Sequence, residues 1–387
     1  MKVAIAIDSF KGSLTTFQAG EAVEEAVKTV FPNTQVIVSP LADGGEGTME
    51  AIVLSNGGQI HETIVSNPLG KKIKARYGII SQTQTAVIEM ATAAGLTLIE
   101  PKERNPLYTT TYGVGEMILD AIHKGCRKFI VGIGGSATND GGVGMLQALG
   151  FEFLDENGEQ ISYGAIGLKA LTKIKVDKVV DAVKECEFIV ACDVKNSLCG
   201  ENGCSYVFAR QKGGTDKTIP LMDAWIDNYA TLTKEVNPNA NKNAEGAGAA
   251  GGLGFAFFSY LNSKMCSGIE IVINETHLEE KVKEADIVVT GEGRLDKQSV
   301  MGKAPIGVAK LAKKYNKKVI AFSGCVGEEA ELCNLEGIDA YFPILQKVCS
   351  LEEAMANQNA YNNLKATAIQ VFRLLKVYQI ENLTKRL

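Results

Sequence analysis

The strand–helix alternation that opens this chain stops near Gly57 and resumes at about His277, so a second domain is expected to interrupt the first. The opening reads strand (Lys2 to Ile7), helix (about Thr15 to Val30), strand (Gln35 to Val38) and helix (about Glu46 to Asn56). Thr15 with Gln18 three residues later makes a capping-box start, and Ala19, Ala22, Val23, Ala26, Val27 and Val30 follow at helical spacing. From Gly57 the pattern changes: His61 to Val65, Lys72 to Ile80 and Gln84 to Met90 are strand-like and separated by short polar breaks, as in an antiparallel meander. Within this middle region Tyr112 to His123 reads as helix, while Lys128 to Ile133 and Phe188 to Ala191 read as strands that run into loops. Asn237 to Asn243 reads as a mobile polar loop.

The parallel rhythm returns with a helix from His277 to Glu284, strand Asp286 to Val289, helix Ala304 to Tyr315, and strands Lys318 to Phe322 and Ala340 to Pro343. A long last helix carries Leu364, Ala368, Val371 and Leu375 on one face. With the two opening strands this makes the five that a parallel sheet of order 2-1-3-4-5 requires. The expected division is residues 1–58 with 278–387 as one discontinuous domain and 59–277 as a large inserted α/β domain of mixed sheet. A length of 387 residues exceeds what one core serves well, and 45% apolar residues can fill two.

Three loops mix glycine with charge at or after strand ends: Asp8-Ser9-Phe10-Lys11-Gly12, Gly134 to Gly142, and Thr290 to Ser299. Glycine-rich backbone lets several N–H groups face one anion, while the interleaved acids and bases offer a metal seat, a charge clamp and a base, which are the needs of phosphoryl transfer. In the 2-1-3-4-5 order, Asp8 to Gly12 and Thr290 to Asp296 open at the topological switch point, where ligands bind. The candidate carboxylates are Asp8, Asp43, Asp140, Asp193, Glu292 and Asp296. Strand-end acids such as Asp8 and Asp193 are held rigidly, although a turn cap is the bland reading of each. Lys11 and Arg294, each beside an acid and glycine, suit an anion better than an idle surface.

Together with Leu41 to Thr48, Ala191 to Val194, Gly246 to Gly254 and the block from Thr290 to Lys303, these loops make the sequence resemble the bacterial glycerate kinases of type 1 over nearly the whole chain. Asn196-Ser197-Leu198 and Ala209-Arg210 depart from the usual words at those places. The resemblance implies a flavodoxin-like domain carrying a restriction-endonuclease-like insert. It also implies ATP-dependent, Mg²⁺-requiring phosphorylation of D-glycerate to 2-phosphoglycerate, in a cleft between two domains. The resemblance supplies the motifs, and the division of labour among them is inferred from residue chemistry: Lys11 and Arg294 are assigned to the substrate carboxylate or the transferring phosphoryl group, and Asp193 to proton acceptance or metal ligation. Asp8 and Glu292 are assigned to the metal, and Gly134, Gly135, Ser136, Thr138, Asn139, Gly291, Gly293 and Asp296 to ATP.

Other classes are weighed against this one. Gly132 to Ala137 matches a dinucleotide turn, with Asp155 as the distal acid, so an NAD-dependent 2-hydroxyacid dehydrogenase is an alternative; a non-catalytic small-anion sensor is another. The polar, glycine-rich continuation from Thr138 to Gly142 suits a phosphate cradle better than close helix packing. Gly246 to Gly251 follows an Asn-rich loop in place of a strand, leaving close packing or ligand contact open. No Walker A pattern occurs. His61, His123 and His277 lie apart without catalytic spacing, so proton acceptance falls to a carboxylate. Nine cysteines without a C-x-x-C pair argue for reduced thiols in the cytoplasm. A net charge of −5 with scattered basic residues argues against nucleic acid. The opening apolar run is too short for a signal peptide, and Gly246 to Ser263 falls short of a membrane span. A homodimer is left open.

Overall fold

The first strand, β1 (Lys2–Ile7), is apolar and almost wholly buried, and it pairs in parallel on both sides. One neighbour is β2 (Gln35–Val38); the other is the distant β11 (Ile287–Leu295), with Val3 opposite Ile287 and Ile7 opposite Gly291. Parallel pairing continues through β12 (Lys318–Val326) to β13 (Ala340–Pro343), giving the order β13-β12-β11-β1-β2. Counted within these five strands, that is 2-1-3-4-5. The computed structural model describes residues 1–384.

Helix Thr16–Val30 starts at the expected capping box, in which Thr15 accepts from the Gln18 N–H and the Gln18 side chain accepts from the Thr15 N–H. Its buried stripe of Ala19, Ala22, Val23, Ala26, Val27 and Val30 packs with Leu364, Ala368, Val371 and Phe372 of the last helix, Asn357–Thr384. These residues form one core with the parallel sheet.

The middle of the chain builds its own core around a six-stranded mixed sheet. The antiparallel meander is β3 (Gln59–Ser66), β4 (Lys72–Ile80) and β5 (Thr85–Glu89). Parallel pairing then adds β6 (Lys128–Gly132), β9 (Glu187–Ala191) and β10 (Ser263–Cys266), in the order β10-β9-β6-β5-β4-β3. A small hairpin, β7 (Glu152–Leu154) and β8 (Lys173–Lys175), stands apart from both sheets. The chain thus forms two units, Met1–Asp43 with Ile269–Leu387, and Gly44–Gly268. These limits differ from breaks at 58/59 and 277/278 because helix Thr48–Ser55 packs on β3, β4 and β5, and because Gly268–Glu275 is a helix of its own.

Two local expectations change. Asn237 to Asn243 is a sequence of bonded turns: Asn237 accepts from the Asn239 N–H at 3.0 Å and donates to the Ser259 carbonyl at 2.8 Å, and Asn241 accepts from the Asn243 N–H at 3.0 Å. Thr290 to Leu295 is strand, because β11 continues to pair with β12 as far as Leu295 opposite Val326. No helix among the described residues is long and apolar enough to cross a membrane.

Candidate functional site

Asp8 follows β1 at its carboxyl end and is 3% exposed, with its Oδ1 accepting the Ser9 N–H at 2.6 Å. Burial, and then the neighbouring Asp43 carboxylate, push the Asp8 carboxyl up to about 7 against the opposing pull of Ser9 and Lys11; Glu292 adds to the rise. Lys11 Nζ lies 3.5 Å from Asp43 Oδ2. Burial works against its ammonium, but Asp43, Asp8 and Glu292 outweigh burial and hold its pKa above the ordinary value. Four of the charges singled out in the sequence therefore share one electrostatic environment.

On β11 the period of two places Glu292 and Arg294 on the same face, and both line one cavity of about 340 Å³ together with Asp8, Lys11 and Lys303. Glu292 accepts from Ser299 Oγ at 2.5 Å and meets Lys303 Nζ at 3.5 Å; burial nevertheless raises its pKa. Arg294 is well exposed and reaches Asp296 Oδ2 at 3.1 Å, while Asp296 also accepts from the Gln298 N–H at 2.9 Å. Gly291 and Gly293 are strand residues and not loop residues, and Gly293 lines the cavity. A Cβ on Gly291 would stand 2.1 Å from the Phe322 carbonyl, so its glycine serves close strand pairing.

In the mixed-sheet unit, β6 opens into Gly134 and Gly135, which are exposed, and then Ser136, which is buried. Lys212 is 2% exposed and donates from Nζ to Ser136 Oγ and to the Thr138 carbonyl, both at 2.7 Å. Burial lowers the Lys212 pKa to about 8, with Cys204 and Asp140 acting the other way. Thr138 and Asn139 are fully buried, and Asn139 donates to Ser205 Oγ at 2.9 Å, so their side chains shape the loop from inside. Asp140 is also enclosed: it accepts from Thr111 N and Oγ1 at 2.8 Å and from the Gly142 N–H at 3.1 Å, while burial raises its pKa. It is an anchor of the loop. The Gly246 to Gly254 word packs against the same turn, with the Gly141 N–H donating to the Gly251 carbonyl at 2.9 Å.

Asp193 follows β9 and is exposed; its Oδ1 accepts the Gly268 N–H at 3.1 Å. Glu89 ends β5 and accepts the Met49 N–H at 2.9 Å in the first turn of helix Thr48–Ser55. Burial, followed by Glu50 and Glu46, pushes Glu89 up to about 7. Asp155 sits in the turn after β7 and accepts from the Asn157 and Glu159 N–H groups at 2.9 and 3.0 Å, a turn cap and no ribose acid. Glu89, Lys212, Lys303 and Ser299 were missed as functional candidates. Glu89 carries the same signal as Asp8, an acid closing a β-branched run, and Lys212 and Lys303 each stand next to a glycine.

Comparison with known proteins decides the family. The family model described as "Glycerate kinase family" matches residues 3–376. The chain belongs to the glycerate kinase family. A protein named glycerate kinase from Haemophilus influenzae is 45% identical over 97% of this chain and 99% of its own. One named glycerate 2-kinase from Escherichia coli is 44% identical over 94% of this chain and 95% of its own. A crystal structure of a protein provisionally designated glycerate kinase 2, from Salmonella typhimurium LT2, superposes with a TM-score of 0.89 at 42% identity, covering 98% of this chain and 99% of that one. Membership removes the dehydrogenase and sensor alternatives.

Proposed function

We infer that this chain is an ATP-dependent glycerate kinase that places the phosphoryl group on the 2-hydroxyl of D-glycerate. The observation that carries the reading is the cluster of Asp8, Lys11, Asp43, Glu292, Arg294 and Lys303 at the carboxyl ends of β1 and β11. Those two strands flank the point where the sheet order reverses, the usual ligand crevice of an open parallel sheet. The 2-1-3-4-5 order suits a flavodoxin-like domain, and the mixed sheet is read as the restriction-endonuclease-like insert of the family.

Phosphoryl transfer asks the protein for position and charge neutralisation more than for covalent chemistry. Arg294 presents a guanidinium that can hold a carboxylate or phosphoryl oxygens through two parallel bonds, and Lys11 adds a compact cation on the same cavity. Any clamp on the substrate carboxylate, by whichever residue, fixes the adjoining 2-hydroxyl more tightly than the terminal one. Asp193 is assigned to accept the hydroxyl proton or to ligate the metal, and Gly134, Gly135 and Ser136 to contact phosphate. No group of three or more metal-ligating side chains is found among the described residues. The oxygen donors Asp8 and Glu292, buried beside Asp43, nevertheless fit Mg²⁺, which binds through one or two carboxylates plus phosphates and water. When bound, the ion would neutralise the phosphate charge. Asp8 and Glu292 would hold it, with Lys303 and Ser299 fixing the Glu292 carboxylate. Nine unpaired thiols fit a reducing compartment, and the cytoplasm is the proposed location.

The test is ADP release from ATP and Mg²⁺ in the presence of D-glycerate or glycerol, with Asp193→Asn alongside the wild type. Release is expected with glycerate and not glycerol, and about a hundredfold or more slower in the variant, because a charge or proton acceptor is lost at nearly constant volume. Equal release with glycerol would contradict the carboxylate clamp.

A further inference from the structure

The cavity that gathers the charged cluster is charged on only part of its wall. Much of the rest is apolar, including Phe10, Ile344, Leu345, Leu351, Ala354 and Met355. Ile344 and Leu345 follow β13, while Leu351, Ala354 and Met355 belong to the short helix Leu351–Met355. That helix is held in place: Ser350 caps it by accepting the Glu353 N–H at 3.1 Å. Beyond it, Asn357 donates to the Ser13 carbonyl at 2.7 Å and to Gln18 Oε1 at 3.1 Å. Leu351 is nonetheless 74% exposed and Met355 38%. Large apolar side chains fixed in position and left open around a concavity are a signature of ligand binding.

Glycerate does not account for this wall. Each of its three carbons carries oxygen, so it has no apolar face to bury, and hydrated oxygens set against Leu and Met lose water without gaining a partner. Within the kinase reading, the other substrate has one apolar, planar end and one polyanionic end. The cavity has the same division: its charged part carries Lys11, Arg294 and Lys303 together with Asp8 and Glu292, the pair read above as the seat of the metal that phosphates bring. Ser13, also in the lining, keeps a buried hydroxyl without a hydrogen-bond partner, which a ring nitrogen or ribose hydroxyl would supply.

We propose that this cavity is the nucleotide site, with the nucleoside of ATP against Phe10, Ile344, Leu345, Leu351 and Met355 and its phosphates directed to Lys11, Arg294 and Lys303, so that of the two roles open to Lys11 and Arg294 they take the phosphoryl one and the glycerate carboxylate is held outside this cavity. The proposal rests on the kinase reading but, Phe10 apart, assigns the base to residues outside every motif that carries that reading.

Cys325 lines the cavity and is the exposed one of the nine cysteines, so it reports occupancy directly. Wild-type protein is treated with iodoacetamide, and alkylation of the Cys325 peptide is followed by mass spectrometry with ADP, with D-glycerate, or with neither. ADP is expected to slow alkylation about tenfold or more, the protection given by a ligand held about tenfold above its Kd, while glycerate alone leaves the rate unchanged. In parallel, Leu351→Asp and Met355→Glu are expected to raise the KM for ATP about tenfold or more, with the KM for glycerate within about twofold of wild type. Protection by glycerate but not ADP, or an unchanged KM for ATP in both folded variants, would overturn the proposal. Protection by ADP in a protein that releases no ADP from ATP with glycerate would sink the kinase reading while leaving the nucleotide site standing. Turnover with Cys325 unprotected would do the reverse.

Discussion

Asp8 is the side chain at which burial and like charge meet most sharply in the parallel-sheet unit. A buried carboxyl raised from an ordinary value of 3.8 to about 7 favours the folded state while it is protonated. That contribution is complete below the unfolded value and lost as the pH rises through about 7. Asp8→Asn should therefore be more stable than wild type at pH 8, by about 1–4 kcal/mol, and the gain should vanish below about pH 4. Urea denaturation at the two pH values measures this; equal stability at pH 8 would show that Asp8 is not strained by its ionisation. The same variant should lose most turnover, because a residue retained at that cost is expected to serve the anionic substrate's metal. Asp8, Lys11, Glu292 and Arg294 were legible in the sequence because each stands in a short word of glycine and opposite charge. For Lys212 what distinguishes it is enclosure by residues remote in the chain, Ser136 and Thr138; Glu89 and Lys303 carry only the weak signals of a strand-end acid and a neighbouring glycine.

At the level of elements, the glycine words divide by use. Gly251 has φ +69°, and a Cβ there would stand 2.0 Å from the Thr138 carbonyl. Gly158 has φ +79° with nothing within 4 Å of the same position. Gly158→Ala should cost about 1–2 kcal/mol from backbone conformation alone, whereas Gly251→Ala should cost about 2–4 kcal/mol because it also forces two turns apart. Denaturation midpoints compare the two, and equal costs would mean that the Gly246 to Gly254 word does not brace the Ser136 to Gly142 loop. Strands and helices with clean periodicity were legible in sequence, including β1, β2, β4, β13 and helix Tyr112–His123. The length of β11 was misread because Gly291 and Gly293 resemble a loop, yet Glu292 and Arg294 between them already alternate with a period of two. The helix Ile219–Val236, the β7–β8 hairpin and β10 went unread. The two hairpin strands are three residues each, and β10 reads as strand only through its pairing with β9.

For the whole molecule, the strand count and order of the parallel sheet followed from the rhythm at the two ends of the chain, since five strands split by a long insertion leave few ways to pair β1. The unit limits did not follow, because whether Thr48–Ser55 belongs with β2 or with the meander depends on which core its apolar face meets. The charged cluster gathers residues from both ends of the chain within one unit, as expected if the fold exists to bring Asp8 and Glu292 together. The reaction assigned to it is tested most directly by phosphorus NMR of the product formed from ATP, Mg²⁺ and D-glycerate. The account predicts one new phosphomonoester resonance, split into a doublet by the single proton on carbon 2. A triplet would place the phosphoryl group on the terminal oxygen and reverse the substrate in the site, and no new resonance at all would contradict the assignment of this chain as a glycerate kinase.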